Sequence, residues 1–411
     1  MTPVLQESLG RRPLGGGDRP PGGPRPRCPL PSTLPAARAA APAKDAQPAG
    51  DGPPSVRFPP HSPLLSTLRE RVESALAERG VRSDGGARIT RKSIVILAWL
   101  AAAWALLVFW APAWWAAVPL AVALSLAVAA VGFNIQHDGG HEAFAASRRV
   151  NRLAARALDL VGASSYVWRY KHAFYHHQFT NIEGLDDDVS AGPFLRLAPG
   201  QRRRPWHRVQ HWYMWALFAF LPSKWTFVDD FRSVLTGRVG DQPMPRPGKR
   251  ELALLCAGKA LFVGWALALP LLFGHSLLHV LAIYGLCSLV AGTCLSVVFQ
   301  LAHCVEEARF PGRPAHADPP PRAELPWAEH QLATTVDFAP DSRVLGWFLG
   351  GLNMQVEHHL FPRVSHVHYP ALAPVVRATC AEFGVTHHSH PTLFRALRSH
   401  VRHVRALGRS G

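Results

Sequence analysis

The feature that most constrains this chain is a stretch of 44 residues, between Lys92 and His137, that contains no Asp, Glu, Lys or Arg. A helix that spans a membrane needs about 20 consecutive apolar residues. The stretch therefore predicts two spans, at about 93–111 and 113–133, with a tight turn near Pro112. A single very long soluble helix is the alternative, and a proline in its middle argues against it.

A second apolar block predicts two further spans, at about 252–273 and 277–301, and contains Lys259 as its only formal charge. The two spans are separated by Gly274-His275-Ser276. We therefore predict an all-α integral membrane fold with four transmembrane helices in two hairpins. Two hairpins would leave both termini and the segment 134–250 on the same side of the membrane.

The formal net charge of +16 is compatible with nucleic acid, anionic lipid or cytoplasmic loops as its cause. The segment 134–250 is rich in Lys and Arg, whereas the two short hairpin turns contain neither. The positive-inside rule then predicts a multi-pass protein with both termini and this segment in the cytoplasm. The basic residues do not follow the pattern of a nucleic-acid-binding module, so we expect no nucleic-acid partner.

The rest of the chain divides by composition. Residues 1–60 are rich in Pro, Gly and Arg and are predicted to be disordered, or to precede the true start of translation. Residues 61–91 are predicted to hold an amphipathic helix at 64–79, ahead of a membrane domain at 92–390 and a basic tail at 391–411. No secretory signal is visible at the start, and six cysteines without a CxxC pair predict neither disulfides nor a thiolate zinc site.

Three histidine clusters, here called boxes, lie in the segments assigned to the cytoplasm. The first box contains His137 and His141, the second His172, His176 and His177, and the third His358 and His359. Residues four apart share one face of a helix, so a pair with this spacing can bind one metal ion. The last histidine of the second box is rotated by about 100° from its neighbour and can face a second metal. Neutral imidazole binds iron, copper and zinc.

Other histidines are interpreted differently. His207 and His211 have the same spacing but no third histidine, which predicts a structural or interfacial pair, and His275 with His279 would lie on the opposite side of the membrane. Histidines near the C-terminus are predicted to be surface residues: His366, His368, His387, His388, His390, His400 and His403. Separate core or surface histidines remain the alternative for the boxes, but three clusters at one membrane face favour a shared site.

The boxes and their flanking residues resemble those of the membrane fatty acid desaturases. The matching runs are QHDGGHEAF at 136–144, HQFTN at 177–181 and GGLNMQVEHHLFP at 350–362. The resemblance covers about residues 92–390, and Gln355 at the start of the third box is similar to the front-end, linoleoyl-CoA and sphingolipid branch. It implies a mushroom-shaped molecule, in which four spans lie beneath a cytosolic helical cap that holds two irons.

The resemblance also implies a wider set of site residues. It assigns His303, directly after the fourth span, as an eighth histidine ligand, and Gln355 as a weak ligand, a holder of bound water or a structural residue. Carboxylates often accept the outer N–H of a metal-bound imidazole. The candidates for this role are Asp138, Asp186, Asp187, Asp188 and Glu357, although the aspartate run can also be a solvated loop. His330, which recurs in this branch, is a candidate for a supporting role or a substrate contact.

Breaking an unactivated methylene C–H bond requires an oxidant that no amino-acid side chain provides, whereas a reduced metal pair with O₂ does. The resemblance implies an O₂-dependent desaturase that introduces a cis double bond into an acyl-CoA or acyl-lipid. A hydroxylase or ketolase on the same scaffold is the alternative. A membrane protein that only binds or transports metal is a remote one, since the spans contain few polar residues.

The absence of a haem-binding motif bears on where the electrons would come from. The His-Pro-Gly-Gly haem motif of a fused cytochrome b5 domain does not occur in the sequence. Electrons from NAD(P)H would then arrive through a separate donor, which the resemblance suggests is a ferredoxin or a cytochrome b5-like protein with its reductase. The arginine run at 202–204 would suit an acidic donor.

Overall fold

The computed structural model describes residues 56–60, 62–111, 113–312 and 322–410, and most of these are helical. The segment 1–60, which was predicted to be disordered, lies almost entirely outside the described residues. Pro112 of the predicted turn lies outside them as well.

Within the described residues, four helices are long and apolar enough to cross a membrane. They are Gly86–Phe109, Trp114–Gly140, Lys249–Leu272 and Leu277–His303, called apolar helices 1 to 4 below. The prediction of four apolar helices is confirmed, but their ends differ from the predicted ones. Apolar helix 1 begins before residue 93, and apolar helices 2 and 4 continue into the first box and to His303, because backbone hydrogen bonding does not stop where hydropathy falls.

Apolar helix 2 packs between apolar helices 1 and 4. Its contact faces carry small side chains, and Ala117, Ala121 and Ala127 are completely buried. Small residues let helix backbones approach closely where lipid removes the hydrophobic drive for association. Large aromatic side chains, among them Trp110 and Trp115, are instead exposed where apolar helices 1 and 2 meet. Tryptophan in that position is typical of a membrane–water interface.

The helix Pro63–Glu78 confirms the amphipathic helix predicted at 64–79. Its leucines, including Leu64 and Leu68, are buried against the helix Tyr369–Glu382 and the end of the third box. At the rim of this contact, Arg71 binds Glu382 through both carboxylate oxygens, at 2.8 and 2.7 Å. This helix therefore supports the element that carries the third box.

Shorter elements connect and surround the apolar helices. The α-helices are Arg148–Ala155, Ala157–Leu160, Ser165–Trp168, His177–Phe179, Gln210–Ala219, Leu221–Lys224, Asp230–Thr236, Trp327–Thr334, Arg343–Phe348, Gln355–Leu360, Tyr369–Glu382 and Leu393–Arg409. π-Helical turns cover Val131–Gln136, Arg169–His176, Trp225–Asp229 and Gly264–Ala268, and 3-10 turns cover Asp187–Val189, Pro205–Val209 and His366–His368. Strand Arg238–Val239 pairs antiparallel with Gln242–Pro243, and Asp337–Phe338 pairs parallel with Ser389–His390.

The helix Leu393–Arg409 packs on the helix Gln210–Ala219 and on the 3-10 turn Pro205–Val209. A Cβ atom at Gly408 would collide with the carbonyl oxygen of His207, so glycine permits this close approach. His207 itself is buried, and its Nε2 lies 2.9 Å from the carbonyl oxygen of Pro193. The structural interpretation of His207 is therefore confirmed.

The prediction that the C-terminal histidines are surface residues is wrong for His366, His368, His390 and His400, which are all buried. Long-range contacts cover them. The imidazole of His366 binds Asp138 at 3.0 Å, and Nδ1 of His400 donates to the carbonyl oxygen of Cys304 at 2.8 Å. Burial of this kind depends on which segments meet, so the local sequence does not encode it.

Candidate metal centre

Apolar helix 2 delivers the first box. Its α-helical part changes to the π-helical turn Val131–Gln136, and His137–Gly140 forms the last turn. A Cβ atom at Gly140 would collide with the indole ring of Trp168 at the start of the second-box segment. The glycine therefore allows the first and second boxes to approach each other.

The other histidines arrive on three separate segments of the chain. The second box lies on the π-helical turn Arg169–His176 and the helix that follows it. The third box lies on the helix Gln355–Leu360, every residue of which is buried. The backbone N–H of Val356 in its first turn donates to Asp337 Oδ1 at 3.0 Å, which fixes the start of that helix. Apolar helix 4 ends at His303, which is also completely buried.

These elements bring all eight predicted histidines together in overlapping groups, in each of which the candidate ligand atoms lie within 4.8 Å of one another. The first group is His137, His141, His172 and His358, and the second is His176, His303 and His359. A third group, His177, His358 and His359, connects the first two. The cluster is thus arranged as two adjacent centres with shared histidines between them.

The grouping differs in part from what sequence spacing predicts. His137 and His141, four residues apart, lie in the same group as expected. His172 and His176 have the same spacing, and they approach each other beside Asp188, but His176 joins the second centre with His303. The second box is π-helical, so its side chains follow a different rotation from that of an α-helix.

Two carboxylates of the aspartate run hold second-box imidazoles from outside. Asp186 Oδ2 lies 2.9 Å from Nδ1 of His176, and Asp188 Oδ2 lies 3.3 Å from Nδ1 of His172. A carboxylate accepts a hydrogen bond, so Nδ1 carries the hydrogen in both rings. The opposite nitrogen, Nε2, is then left as a lone pair directed into the cluster.

Three further outer partners come from residues that sequence reasoning did not single out. Nδ1 of His303 lies 3.2 Å from the carbonyl oxygen of Thr334, and Nδ1 of His359 lies 2.8 Å from Gln331 Oε1. The third partner is the hydroxyl of Tyr369, 3.2 Å from Nδ1 of His358. Gln331 directly follows His330, so the segment carried a signal, but only the fold shows which of its side chains faces the site.

Several other imidazole nitrogens have no partner, although Nε2 of His177 and Nε2 of His358 lie 3.0 Å apart. Buried atoms without a hydrogen bond include Nε2 of His141, His172, His176, His303 and His359, and Nδ1 of His177. A buried imidazole nitrogen left without a hydrogen bond costs about 1–3 kcal/mol. These atoms belong to histidines whose candidate ligand atoms lie within 4.8 Å of one another in each group, so metal ions fit as the missing partners.

Burial also favours the neutral form of these rings. For His141, His177, His358 and His359, burial and then the neighbouring histidines lower the pKa well below its ordinary value of 6.5. In His176, burial lowers the pKa, but Asp186 and Asp188 together raise it above that value. Neutral imidazole is the form that binds metal, so burial favours the metal-binding form of these four histidines.

The other candidate residues have different partners. Asp138 binds Ser365 and His366, Asp187 binds Lys171, and Glu357 lies 3.2 Å from Nε2 of His387. Asp138 and Glu357 each adjoin a box histidine in sequence, but neighbouring residues on a helix point about 100° apart. Nε2 of His330 lies 3.0 Å from the carbonyl oxygen of Thr180, and Gln355 is buried with Oε1 lacking a partner.

Comparison with known proteins identifies this arrangement. The family model for fatty acid desaturases matches residues 112–391. The chain is 36% identical over 331 residues to an sn-1 linoleoyl-lipid 6-desaturase of Arthrospira platensis, covering 80% of this chain and 88% of that one. It is 35% identical over 346 residues to the enzyme of the same name from Synechocystis, covering 84% and 95%. An acyl-lipid (8-3)-desaturase of Physcomitrium patens is 36% identical over 344 residues, covering 83% and 71%.

The match spans the boxes, the apolar helices from Pro112 onward and the segments that hold the outer partners. Four apolar helices and a buried cluster of histidines are what such an enzyme requires. The chain therefore belongs to the membrane fatty acid desaturase family, within its front-end type, and is an oxidoreductase that desaturates acyl chains.

Proposed function

We propose that this chain is an O₂-dependent acyl-lipid desaturase whose histidine cluster holds two iron ions. The observation that carries the proposal is the convergence of eight histidines, six of which have a buried imidazole nitrogen without a hydrogen-bond partner. Iron, when bound, would supply together with O₂ the oxidising power that removes two hydrogens from adjacent methylene carbons.

The protein's part is to position the ligands. The group around His137 and His358 would hold one iron, and the group around His176 and His303 would hold the other. His177 forms a third group with His358 and His359, one histidine from each of the other two groups, and would bind at the boundary between the irons. Gln355, buried with a free oxygen, is a candidate for a bound water. Asp186, Asp188 and the three outer partners described above would fix the orientation and tautomer of the imidazoles.

The substrate class is inferred from the relatives. Both cyanobacterial relatives are named as sn-1 linoleoyl-lipid 6-desaturases, and the moss relative as an acyl-lipid desaturase. We propose that this chain likewise acts on an acyl group carried by a lipid rather than by CoA. The new double bond would then lie between an existing one and the carboxyl end of the chain.

The proposed topology has two hairpins beneath a cap. Residues 110–113 and 273–276 are the short connections within each pair of apolar helices. Exposed Trp110, Trp115 and Phe273 at those connections support a membrane interface there. The basic segments at the opposite helix ends support a cytoplasmic cap with both termini on the same side.

The proposal keeps the domain organisation inferred from the sequence. The desaturase domain would cover 92–390, behind the amphipathic segment 61–91, with the basic residues 391–411 at its end. Labelling of single-cysteine variants on the two faces of sealed vesicles tests the topology. Reaction of second-box and third-box positions from opposite faces would reject it.

The proposal is tested by expressing the chain in a host with defined lipids and analysing its fatty acid methyl esters by mass. We expect a product lighter by two hydrogens, whereas a gain of one oxygen would indicate a hydroxylase. His176→Ala should abolish the product and lower iron content, while His388→Ala, outside all metal groups, should change neither. Wild-type protein that contains no iron would reject the proposal.

A further inference from the structure

The outward face of the C-terminal helix Leu393–Arg409 carries a stripe of arginines. Its members, called the arginine stripe, are Arg395, Arg398, Arg402, Arg405 and Arg409, and all five are exposed. Their spacing of three and four residues places them on a single face, over about 21 Å at 1.5 Å per residue. The opposite face, with Ala396, His400 and Val404, is buried against the protein.

The stripe has almost no acidic partner. In the ranges that the structure describes, only Arg402 approaches an acid, with its guanidinium 3.9 Å from Glu306, and both of these side chains are about half exposed. Five like charges on one face repel each other, and exposed pairs of this kind contribute little to stability. The stripe is therefore better explained as a surface for an anionic partner than as a stabilising feature.

The same helix lies directly behind a box histidine. Nδ1 of His400, between Arg398 and Arg402, donates to the carbonyl oxygen of Cys304 at 2.8 Å. Cys304 is covalently bonded to His303, which lies in the second group of the metal centre. A partner docked on the stripe would be separated from Cys304 by about the 10 Å diameter of one helix. The connection to His303 consists of the buried imidazole of His400, its hydrogen bond to Cys304 and the backbone of Cys304.

The proposed reaction needs electrons at that site. Removing two hydrogens from adjacent methylene carbons gives two electrons and two protons, and reducing O₂ to two waters takes four of each. Two electrons and two protons must therefore come from outside for each double bond formed. A donor protein that carries one electron at a time must deliver both, and must release the chain between deliveries.

We propose that the arginine stripe is the docking surface for an acidic one-electron carrier protein, which reduces the metal centre through His400, Cys304 and His303. The inference rests on the proposed function. A helix that lies on a membrane keeps its apolar face for the lipid, but here that face is packed inside the protein. Charge complementarity and the short path to His303 instead favour a redox protein.

The test uses full-length, iron-loaded protein in phosphatidylcholine nanodiscs and an acidic plant-type [2Fe–2S] ferredoxin as the probe. Interferometry measures the Kd of ferredoxin for the wild type and for two triple variants. One variant is Arg398→Glu/Arg402→Glu/Arg405→Glu, and the other has lysine at the same three positions. The matched control is Arg148→Glu/Arg149→Glu/Arg152→Glu, which makes an equal charge change at three exposed arginines of another helix. Iron content and size-exclusion profiles confirm that each variant is folded.

We expect the glutamate variant of the stripe to bind at least about tenfold more weakly. The lysine variant should stay near wild type because it keeps the charge, and the control should change by less than about threefold. Equal losses in the stripe variant and the control would overturn the proposal. An unchanged Kd of the stripe variant for ferredoxin would also overturn the proposal, because the stripe would then not bind the carrier. That conclusion would hold even if the stripe variant lost co-purifying anionic lipid.

A second readout separates this inference from the proposed function. With photoreduced deazaflavin as a small reductant, the stripe variant should form as much product in a single turnover as the wild type. Absence of product from the wild type under these conditions would reject the proposed function. A stripe variant that forms product but binds ferredoxin like the wild type would reject only the docking surface.

Discussion

Replacing Asp186 by asparagine should weaken iron binding without unfolding the chain. The carboxylate is buried, and its Oδ2 lies 2.9 Å both from Nδ1 of His176 and from the backbone N–H of Asn181. Its Oδ1 accepts the backbone N–H of Asp188 at 3.0 Å. All three neighbours are donors, so the site uses both oxygens as acceptors.

An asparagine offers only one acceptor oxygen, and its NH₂ group must face a donor. Placing the oxygen at the Oδ2 position keeps the bond to His176 and loses only the bond from Asp188. That loss costs about 1–3 kcal/mol of folding free energy. The imidazole also loses the negative charge that raises its basicity. Changing an outer partner of a metal-bound histidine typically lowers metal affinity by about 10- to 100-fold, which equals about 1.4–2.7 kcal/mol of binding free energy.

The assay is competition for Fe²⁺ between purified protein and a chromophoric chelator, with circular dichroism to check folding. Asp187→Asn is the matched control, because it makes the same change in a neighbour that touches no imidazole. Asp187 pairs with Lys171 at 2.9 Å, and Lys171 keeps Asp188 as a second partner at 3.3 Å. We expect iron affinity to stay within about twofold in this control. Equal affinity in wild type and Asp186→Asn, or equal losses in both variants, would refute the reasoning.

Three further predictions concern the supporting structure. Gln331→Leu removes the nearer acceptor for His359, at 2.8 Å, and leaves only the Thr180 hydroxyl at 3.3 Å, so it should also lower iron affinity by about 10- to 100-fold in the chelator competition. Gly350→Ala should lower the thermal unfolding midpoint more than Gly384→Ala: both glycines have positive φ, costing about 1–2 kcal/mol for alanine, but only at Gly350 would the new Cβ strike the carbonyl oxygen of Phe133. Equal shifts would contradict that contact. Finally, the lowered pKa values of the buried box histidines mean that the unfolded chain binds more protons near their ordinary value of 6.5. The lowered pKa values of His172, His330 and His400 act in the same direction, whereas the raised pKa values of His176, Glu357, Asp230 and Asp337 oppose it. Because the lowered histidines are more numerous, the unfolding midpoint of the iron-free protein should fall as pH drops from about 7.5 to about 5.5, and a flat profile would contradict the burial.

The sequence by itself determined the parts of this protein whose signals are local. Hydropathy over windows of about 20 residues predicted the four apolar helices, because about 20 consecutive apolar residues are what a membrane-spanning helix needs. Amphipathic spacing predicted the helix Pro63–Glu78 almost to the residue. The boxes were visible because imidazole is a metal ligand whatever surrounds it. The family followed from those same short runs.

Only the tertiary structure decided how the ligands are shared and held. Sequence spacing paired His172 with His176, but the fold assigns His176 to the centre that contains His303. The outer partners Gln331 and Tyr369, and the burial of His400 behind Cys304, also appear only in the fold. Each of these contacts joins residues far apart in the chain. Whether two such side chains meet depends on packing among several helices, and no local pattern of residues records that.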